Sequence, residues 1–447
     1  MKKVLSSVVA GTIACSAVGG FANLAQAADL MAVYRDAVAY DAQFASARAA
    51  LDAGREKLPQ GRSGLLPTIG LNGNSTWNDN DTTRRLNGAV ASNTQYNSNG
   101  WTVQLTQPLF RWQNWVAYSQ AELAVAQAEA QFGLAKQELI VRAAQAYFDV
   151  LLAQDALATA QTQKAAIAEQ LESAKRNFEV GTATITDSHE AQSRHDLASA
   201  QEIAAANDLT VKQHVLRAVI GKEPESLKRL RPGVQLAPPQ PDDIGMWVEM
   251  AETANASVRS YQALFEIATR EIEKQRAGHY PTLDLVASRG RSSTSNSTTL
   301  GVGYDSDSSA IGFQLSIPIY SGGGISSRDR ESVALKEKAA ADLENVRRTA
   351  ALNARQAYLG VRSGLAQVKA YEAALTSSQS ALDSNKLGYE VGVRINIDVL
   401  NAQSQLYDTR QKLAKARLDT LGALLKLKAA AGSLSEDDIM AINALLE

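Results

Sequence analysis

Residues 178–192, FEVGTATITDSHEAQ, and residues 389–403, YEVGVRINIDVLNAQ, are one stretch written twice. Six of the fifteen positions are identical in a single register: Glu, Val, Gly, Asp, Ala and Gln. Each copy lies between two long alanine-rich segments of helical character. Gly181 and Gly392 fall where one helix stops, because glycine takes the left-handed C′ conformation without a Cβ clash. Asp187 and Asp398 fall where the next helix starts, where a carboxylate accepts orphan N–H groups and suits the helix dipole. Asp187 reads as an N-cap, with Glu190 completing a capping box. Each copy therefore predicts the tip of an antiparallel helical hairpin, and the tips together predict the mouth of a duct.

The tips belong to a longer repeat. Tyr147 and Tyr358, each inside a Gln-Ala-Tyr triplet, share the offset of Asp187 and Asp398 (398 − 187 = 211), as do Gly221 and Gly432. Pro67-Thr68 recurs as Pro281-Thr282 at an offset of 214, a slip placed in polar loops, where insertions are tolerated. Two similar halves are expected, residues 28–221 and 247–433. The connection between them, 222–246, holds five of the ten prolines and should wrap the outside of the helices; 434–447 should form a C-terminal equatorial segment.

Residues 1–27 read as a signal peptide, with Lys2 and Lys3 before an apolar stretch and Ala25-Gln26-Ala27 at its end. Lipidation at Cys15 is the competing reading, but Thr12-Ile13-Ala14 fits a lipobox poorly. Cys15 is the sole cysteine, so the exported chain would have no thiols. A formal charge of −2 with no basic stripe argues against a nucleic-acid partner. After the signal, no run approaches the ~20 apolar residues of a membrane helix. Export then leaves a soluble periplasmic protein or an outer-membrane β-barrel.

Four segments alternate apolar and polar residues with period two: 66–77, 101–110, 282–289 and 310–320. The last is the clearest, with Ile311, Phe313, Leu315, Ile317 and Ile319 against Gly312, Gln314 and Ser316. Polar loops at 78–100 and 290–309 should separate them. Trp77, Trp101, Trp112 and Trp115 lie at or just past the expected strand ends, as an interfacial aromatic belt would. Four strands cannot close in lipid, where every unpaired N–H or C=O costs several kcal/mol, and the smallest barrels have about eight strands. The barrel must be shared: two chains would give eight strands, three would give twelve.

Helices are expected at 29–64, 113–180, 187–220, 247–278, 325–388 and 398–430. The 113–180 stretch spans 68 residues without a proline, roughly 100 Å at ~1.5 Å per residue. Short helices stacked end to end would match the long ones, giving a wall of antiparallel columns continuous with the barrel. Ala117, Ala121, Ala124, Ala128, Ala135, Leu139, Ala146, Val150, Ala153 and Leu157 form a seam of mostly small knobs. A periplasmic coiled-coil structural or adaptor protein would explain the helices and leave the strands unexplained. It would also carry a lipoyl-like β domain, and none is visible.

The chain resembles the TolC family of outer-membrane efflux proteins along its whole mature length. The residues that carry the likeness are Leu66-Pro67-Thr68, Gln107-Pro108-Leu109-Phe110, Ile317-Pro318-Ile319-Tyr320, both tip motifs and Gly432-Ser433-Leu434. The resemblance implies a homotrimer with a twelve-stranded β-barrel and a twelve-helix periplasmic α-barrel. It implies docking with a periplasmic adaptor and an inner-membrane transporter of ABC, RND or MFS type, and export of drugs or unfolded proteins. In that family a polar network holds the tip shut, an Asp of the first hairpin bonding a Tyr and an Arg of the second. The matching residues are Asp187, Tyr389 and Arg394, with Thr186 as a further acceptor. Family members also ring the entrance with acids. Asp398 matches one position, Asn401 stands at the other, and Glu190, the repeat counterpart of Asn401, is the candidate replacement.

No enzyme is expected: there is no Ser/His/Asp context and no nucleotide fingerprint. His189, His195, His214 and His279 lack metal-ligand spacing. Ser321-Gly322-Gly323-Gly324 lacks the Lys-Ser/Thr of a phosphate loop and reads as a strand-to-helix turn. No cofactor is expected.

Overall fold

The computed structural model describes residues 28–85, 90–182, 184–223, 226–297 and 301–447. The expected signal peptide lies outside them. Ten α-helices and four strands are described: α1 Leu30–Tyr40, α2 Ala42–Arg55, α3 Lys57–Ser63, β1 Thr68–Arg84, β2 Val90–Phe110, α4 Trp112–Glu179, α5 Ile185–Ile220, α6 Ile244–Ala254, α7 Ala256–Arg276, β3 Thr282–Thr294, β4 Tyr304–Ser316, α8 Gly324–Glu390, α9 Asn396–Ala430 and α10 Glu436–Asn443. Two rods, α4 of 68 residues and α8 of 67, carry the length of the molecule. Nothing in their sequences breaks the hydrogen-bond ladder, since both lack proline. Among the described residues, no helix is long and apolar enough to cross a membrane.

The short columns are segmented where continuous helices were expected. The 29–64 stretch breaks at Asp41, which has extended ψ, caps the Phe44 N–H at 2.7 Å and accepts Arg142 Nη2 at 2.8 Å. It breaks again at Glu56, three residues before Pro59, whose ring would crowd the carbonyl of Arg55. The 247–278 stretch breaks at Asn255, which caps Ser257 N–H at 2.9 Å and donates to the Ala430 carbonyl at 2.8 Å. Asp41 and Asn255 are repeat partners at the same 214 offset as the Pro-Thr pairs. Along its upper half α4 packs against α2, α3 and α7; its lower half packs against α5, and α8 pairs with α9. A Cβ added at Gly54 or Gly61 would overlap the Cβ of Ala128 or Ala121, so the seam residues serve close helix approach.

The strands form one antiparallel sheet in the order β1-β2-β3-β4. They are longer than expected, with 17 residues in β1 and 21 in β2, because both ladders continue through the polar residues assigned to loops. Trp77 and Trp101 therefore sit inside strands; they mark the end of the apolar band rather than the end of pairing. Trp112 and Trp115 lie in the first turn of α4. β4 stops at Ser316, before Pro318, which has no N–H to donate. Register pairs Ile69 with Leu105, Leu105 with Ala287 and Ala287 with Ile311, so one apolar face runs across all four strands. Ile69, Leu71, Ile311 and Phe313 on that face are 70–77% exposed. The opposite face carries Asn72, Thr102, Gln104, Ser288 and Gln314.

The main core lies at mid-height. Val33 and Tyr34 of α1, Leu139 to Leu151 of α4, Leu216 and Ile220 of α5, Leu421 and Leu425 of α9, and Ile439 and Ile442 of α10 pack together there. Around this collar runs the segment between the halves, held by bridges Ala28–Leu227 and Leu230–Leu446. Each repeat Tyr of the Gln-Ala-Tyr triplets is buried and ties its hydroxyl to the strap: Tyr147 to the Lys228 carbonyl and Tyr358 to Asp242 Oδ1, both at 2.7 Å.

Candidate functional site: the hairpin tips

Both tips close with the same backbone device. Gly181 and Gly392 have φ of 76° and 77°, the left-handed region. Thr182 N–H reaches the Asn177 carbonyl at 2.8 Å and Gly181 N–H the Phe178 carbonyl at 3.0 Å; Val393 and Gly392 repeat this on Gly388 and Tyr389 at 2.8 and 3.1 Å. This is the six-to-one, five-to-two pattern that terminates a helix at a C′ glycine. The glycines stand where the tip motif placed them.

The starts of α5 and α9 differ from expectation. The N-cap of α5 is Thr184, whose hydroxyl accepts the Asp187 N–H at 3.3 Å while Asp187 Oδ2 accepts the Thr184 N–H at 3.0 Å. Asp187 is thus the third helical residue and itself completes the capping box, leaving Glu190 exposed and outside it. Three threonines alternate here (Thr182, Thr184, Thr186), and which one caps is decided by the Schellman turn that precedes them. In α9 the N-cap is Ile395, which has no capping side chain, and Asp398 is again the third residue.

Within one chain, none of the described hydrogen bonds or ion pairs joins Asp187 to Tyr389 or Arg394. Arg394 Nη1 lies 3.6 Å from Asp398 Oδ2, one turn along its own hairpin. Thr186 is exposed. The two hairpins are joined instead by two other bonds. Asn177 Nδ2 donates to the Tyr389 hydroxyl at 3.1 Å, and Arg194 Nη2 donates to Asn401 Oδ1 at 2.9 Å. Sequence reasoning did not single out Asn177 or Arg194. A signal for Arg194 exists, since it follows Asp187 by seven residues and so keeps to the same face of α5. At Asn401, where the family resemblance implies an acid, the side chain is an amide whose oxygen accepts from a guanidinium.

The tip is also apolar at its extremity. Val180 is 73% exposed and Val393 79%, with Ile185, Val391 and Ile395 exposed beside them. Just inside, Leu382, Val399 and Leu406 pack α8 on α9. Asn396 is 3% exposed and neither of its side-chain polar atoms has a hydrogen-bond partner among the described residues. No group of three or more potential metal ligands occurs among the described residues.

Comparison with known proteins follows the same two-fold division. The model of the outer membrane efflux protein family matches residues 33–222 and again 247–433. The outer membrane protein TolC of Vibrio cholerae is 32% identical over all of this chain and 99% of its own length. The alkaline protease secretion protein AprF of Pseudomonas aeruginosa is 34% identical over 92% of this chain and 86% of its own. In fold, the CmeC outer membrane channel of Campylobacter jejuni superimposes with a TM-score of 0.77 at 16% identity, covering 93% of this chain and 89% of that one.

Proposed function

The chain belongs to the outer membrane efflux protein family, and on that premise we propose how it works. It is an outer-membrane export duct of the efflux and type I secretion class. The observation that carries the mechanism is the four-stranded sheet itself. Its apolar face is exposed, and both edges, β1 and β4, are unpaired among the described residues. Unpaired edges cannot stand in lipid, so copies of the chain pair β4 with the next β1. Three copies close twelve strands, and their α4, α5, α8 and α9 columns close twelve helices below into one α-barrel.

The helical hairpins extend the pore across the periplasm, and the tips form its inner mouth. The exposed valines and isoleucines there fit docking by a periplasmic adaptor and, through it, an inner-membrane transporter that supplies the energy. Closure is a polar latch. Asn177–Tyr389 and Arg194–Asn401 hold the two hairpins of one chain together. Asp187, Thr186 and Arg394 stand exposed or half-exposed at the mouth, where neighbouring protomers meet in the closed trimer. Asp398, repeated three times, gives the mouth a negative ring. Its charge is balanced in part by Arg394 at 3.6 Å. Glu190, exposed one turn before Arg194, would add to that ring only in the trimer.

The deciding experiment is a deletion strain scored for both drug sensitivity and loss of secreted proteins, with membrane fractionation and cross-linking of the complementing protein. A monomer in the soluble fraction would overturn the duct.

A further inference from the structure

The upper edge of the apolar band steps down across the sheet, as the tilt of barrel strands requires. On β1 the last large apolar residue is Trp77; on β2 it is Trp101, opposite Gly73; on β4 it is Ile311, opposite Ala287. On β3 the edge must fall between Arg291, which is opposite Trp101, and Ala287. The residue of that face between them is Arg289, paired in register with Val103 and Ser309.

Arg289 and Arg291 differ in their partners. Arg291 Nη2 donates to Asp305 Oδ2 at 2.8 Å. Arg289 is exposed and no hydrogen bond or ion pair to it occurs among the described residues. The carboxylates of this face nearby, Asp305 and Asp307, lie higher on β4, opposite Ser293 and Arg291. β3 is an inner strand of the chain's own sheet, so closing the barrel through β1 and β4 leaves this site uncovered.

We propose that Arg289 is a seat for the phosphate of an outer-leaflet glycolipid, with its acyl chains lying on Leu105, Ala287 and Ile311 beneath. A guanidinium holds a phosphate through two parallel N–H donors. At the rim of the hydrocarbon layer it meets headgroups rather than acyl chains, and Trp101 beside it suits the same interface. The trimer would carry three such seats. This rests on the barrel reading above.

The test uses the purified full-length protein in detergent, titrated with fluorescent bis-phosphorylated lipid A and with a phosphate-free glycolipid of the same acyl chains. Arg289→Gln should weaken lipid A binding about tenfold, the loss of one charge-assisted bidentate contact, and leave the phosphate-free lipid unchanged. Arg291→Gln, already paired to Asp305, should have a smaller effect. Equal lipid A binding by Arg289→Gln and the parent would overturn the seat. So would an equal loss for both lipids, or displacement of lipid A by millimolar inorganic phosphate, which would make it a free-anion site. Each preparation is also inserted in planar bilayers: protein that conducts but binds lipid A equally with and without Arg289→Gln sinks the seat alone, whereas protein that never inserts sinks the barrel and the seat with it.

Discussion

Cutting both bonds that join the hairpins should open the duct. The perturbation is the double variant Arg194→Ala/Tyr389→Phe. The Asn177–Tyr389 bond is half-buried and neutral, worth about 1 kcal/mol; the exposed Arg194–Asn401 bond is worth about 0.5 kcal/mol after solvent screening. Three protomers opening together lose three copies of each, about 4.5 kcal/mol in all. At about 1.4 kcal/mol per decade, the closed-to-open ratio shifts by about three orders of magnitude. The Tyr389→Phe single variant alone should shift it about a hundredfold, and Arg194→Ala about tenfold. Open probability and conductance of single channels in planar bilayers read this directly. Arg348→Ala, which removes an exposed intrahelical pair with Glu344, serves as the control. If the double variant conducts like the parent, these two bonds do not hold the tip.

Further outcomes follow from other contacts. Asp398→Asn should weaken block of the pore by divalent or hexammine cations, whereas Arg394→Ser, by freeing the Asp398 charge, should strengthen it; single-channel titrations separate the two. If Arg394→Ser also raises conductance, Arg394 latches neighbouring protomers as well. Tyr147→Phe should destabilise the collar by about 1–2 kcal/mol, since it removes the bond to the Lys228 carbonyl, and Tyr358→Phe by less, about 0.5–1 kcal/mol, since Asp242 Oδ1 is exposed and keeps Arg362 Nη1 at 3.9 Å; limited proteolysis should find the strap first. The collar should also loosen in acid. Burial alone would raise the Asp29 carboxyl, but bonds from Asn443 and Ala32 N–H and the charges of Lys228 and Arg35 hold it below 3.8. A hydrogen bond from Lys136 holds Glu436 below 4.5. Groups lowered on folding stabilise above their unfolded values, so this contribution fades as pH drops below 4.5 and 3.8 and is gone beneath the lowered folded values. Amide exchange in α10 reports it, and Asp29→Asn should remove the Asp29 share.

Much of the architecture was legible because it is written in periodicity. Ile311-Phe313-Leu315 shows period two, Ala121 to Ala153 shows helical steps, and a C′ glycine has one backbone use at Gly181 and Gly392. What was not legible falls into two kinds. Local breaks at Asp41 and Asn255 carry no proline or glycine; a capping side chain inside a helical pattern stops a helix only when packing supplies its other partner, here Arg142 or the Ala430 carbonyl. The polar halves of β1 and β2 lack any apolar alternation, yet a ladder continues wherever a partner strand remains.

The second kind is pairing across hairpins. Helical phase fixes the face of α5 that Asp187 and Arg194 share and the face of α8 that carries Tyr389, but which polar group meets which depends on the relative slide of the α4–α5 hairpin against the α8–α9 hairpin, and a shift of a few ångströms exchanges one set of partners for another. That same property is what a gate requires. Asp187 is satisfied by Thr184 and Arg394 by Asp398 within their own hairpins, so neither is left as an unpaired charge when the hairpins part. The bonds that do span the hairpins are half-buried or exposed and few. An apolar seal of equal area would be harder to open and would expose greasy surface once open, whereas groups with local partners and water to turn to can release, and a docking adaptor needs only to outbid a few kcal/mol. Asn396, buried beneath the tip with no hydrogen-bond partner among the described residues, sits where such a slide would first be felt; if Asn396→Leu stabilises the closed pore, the seal is set by packing there and not by the latch.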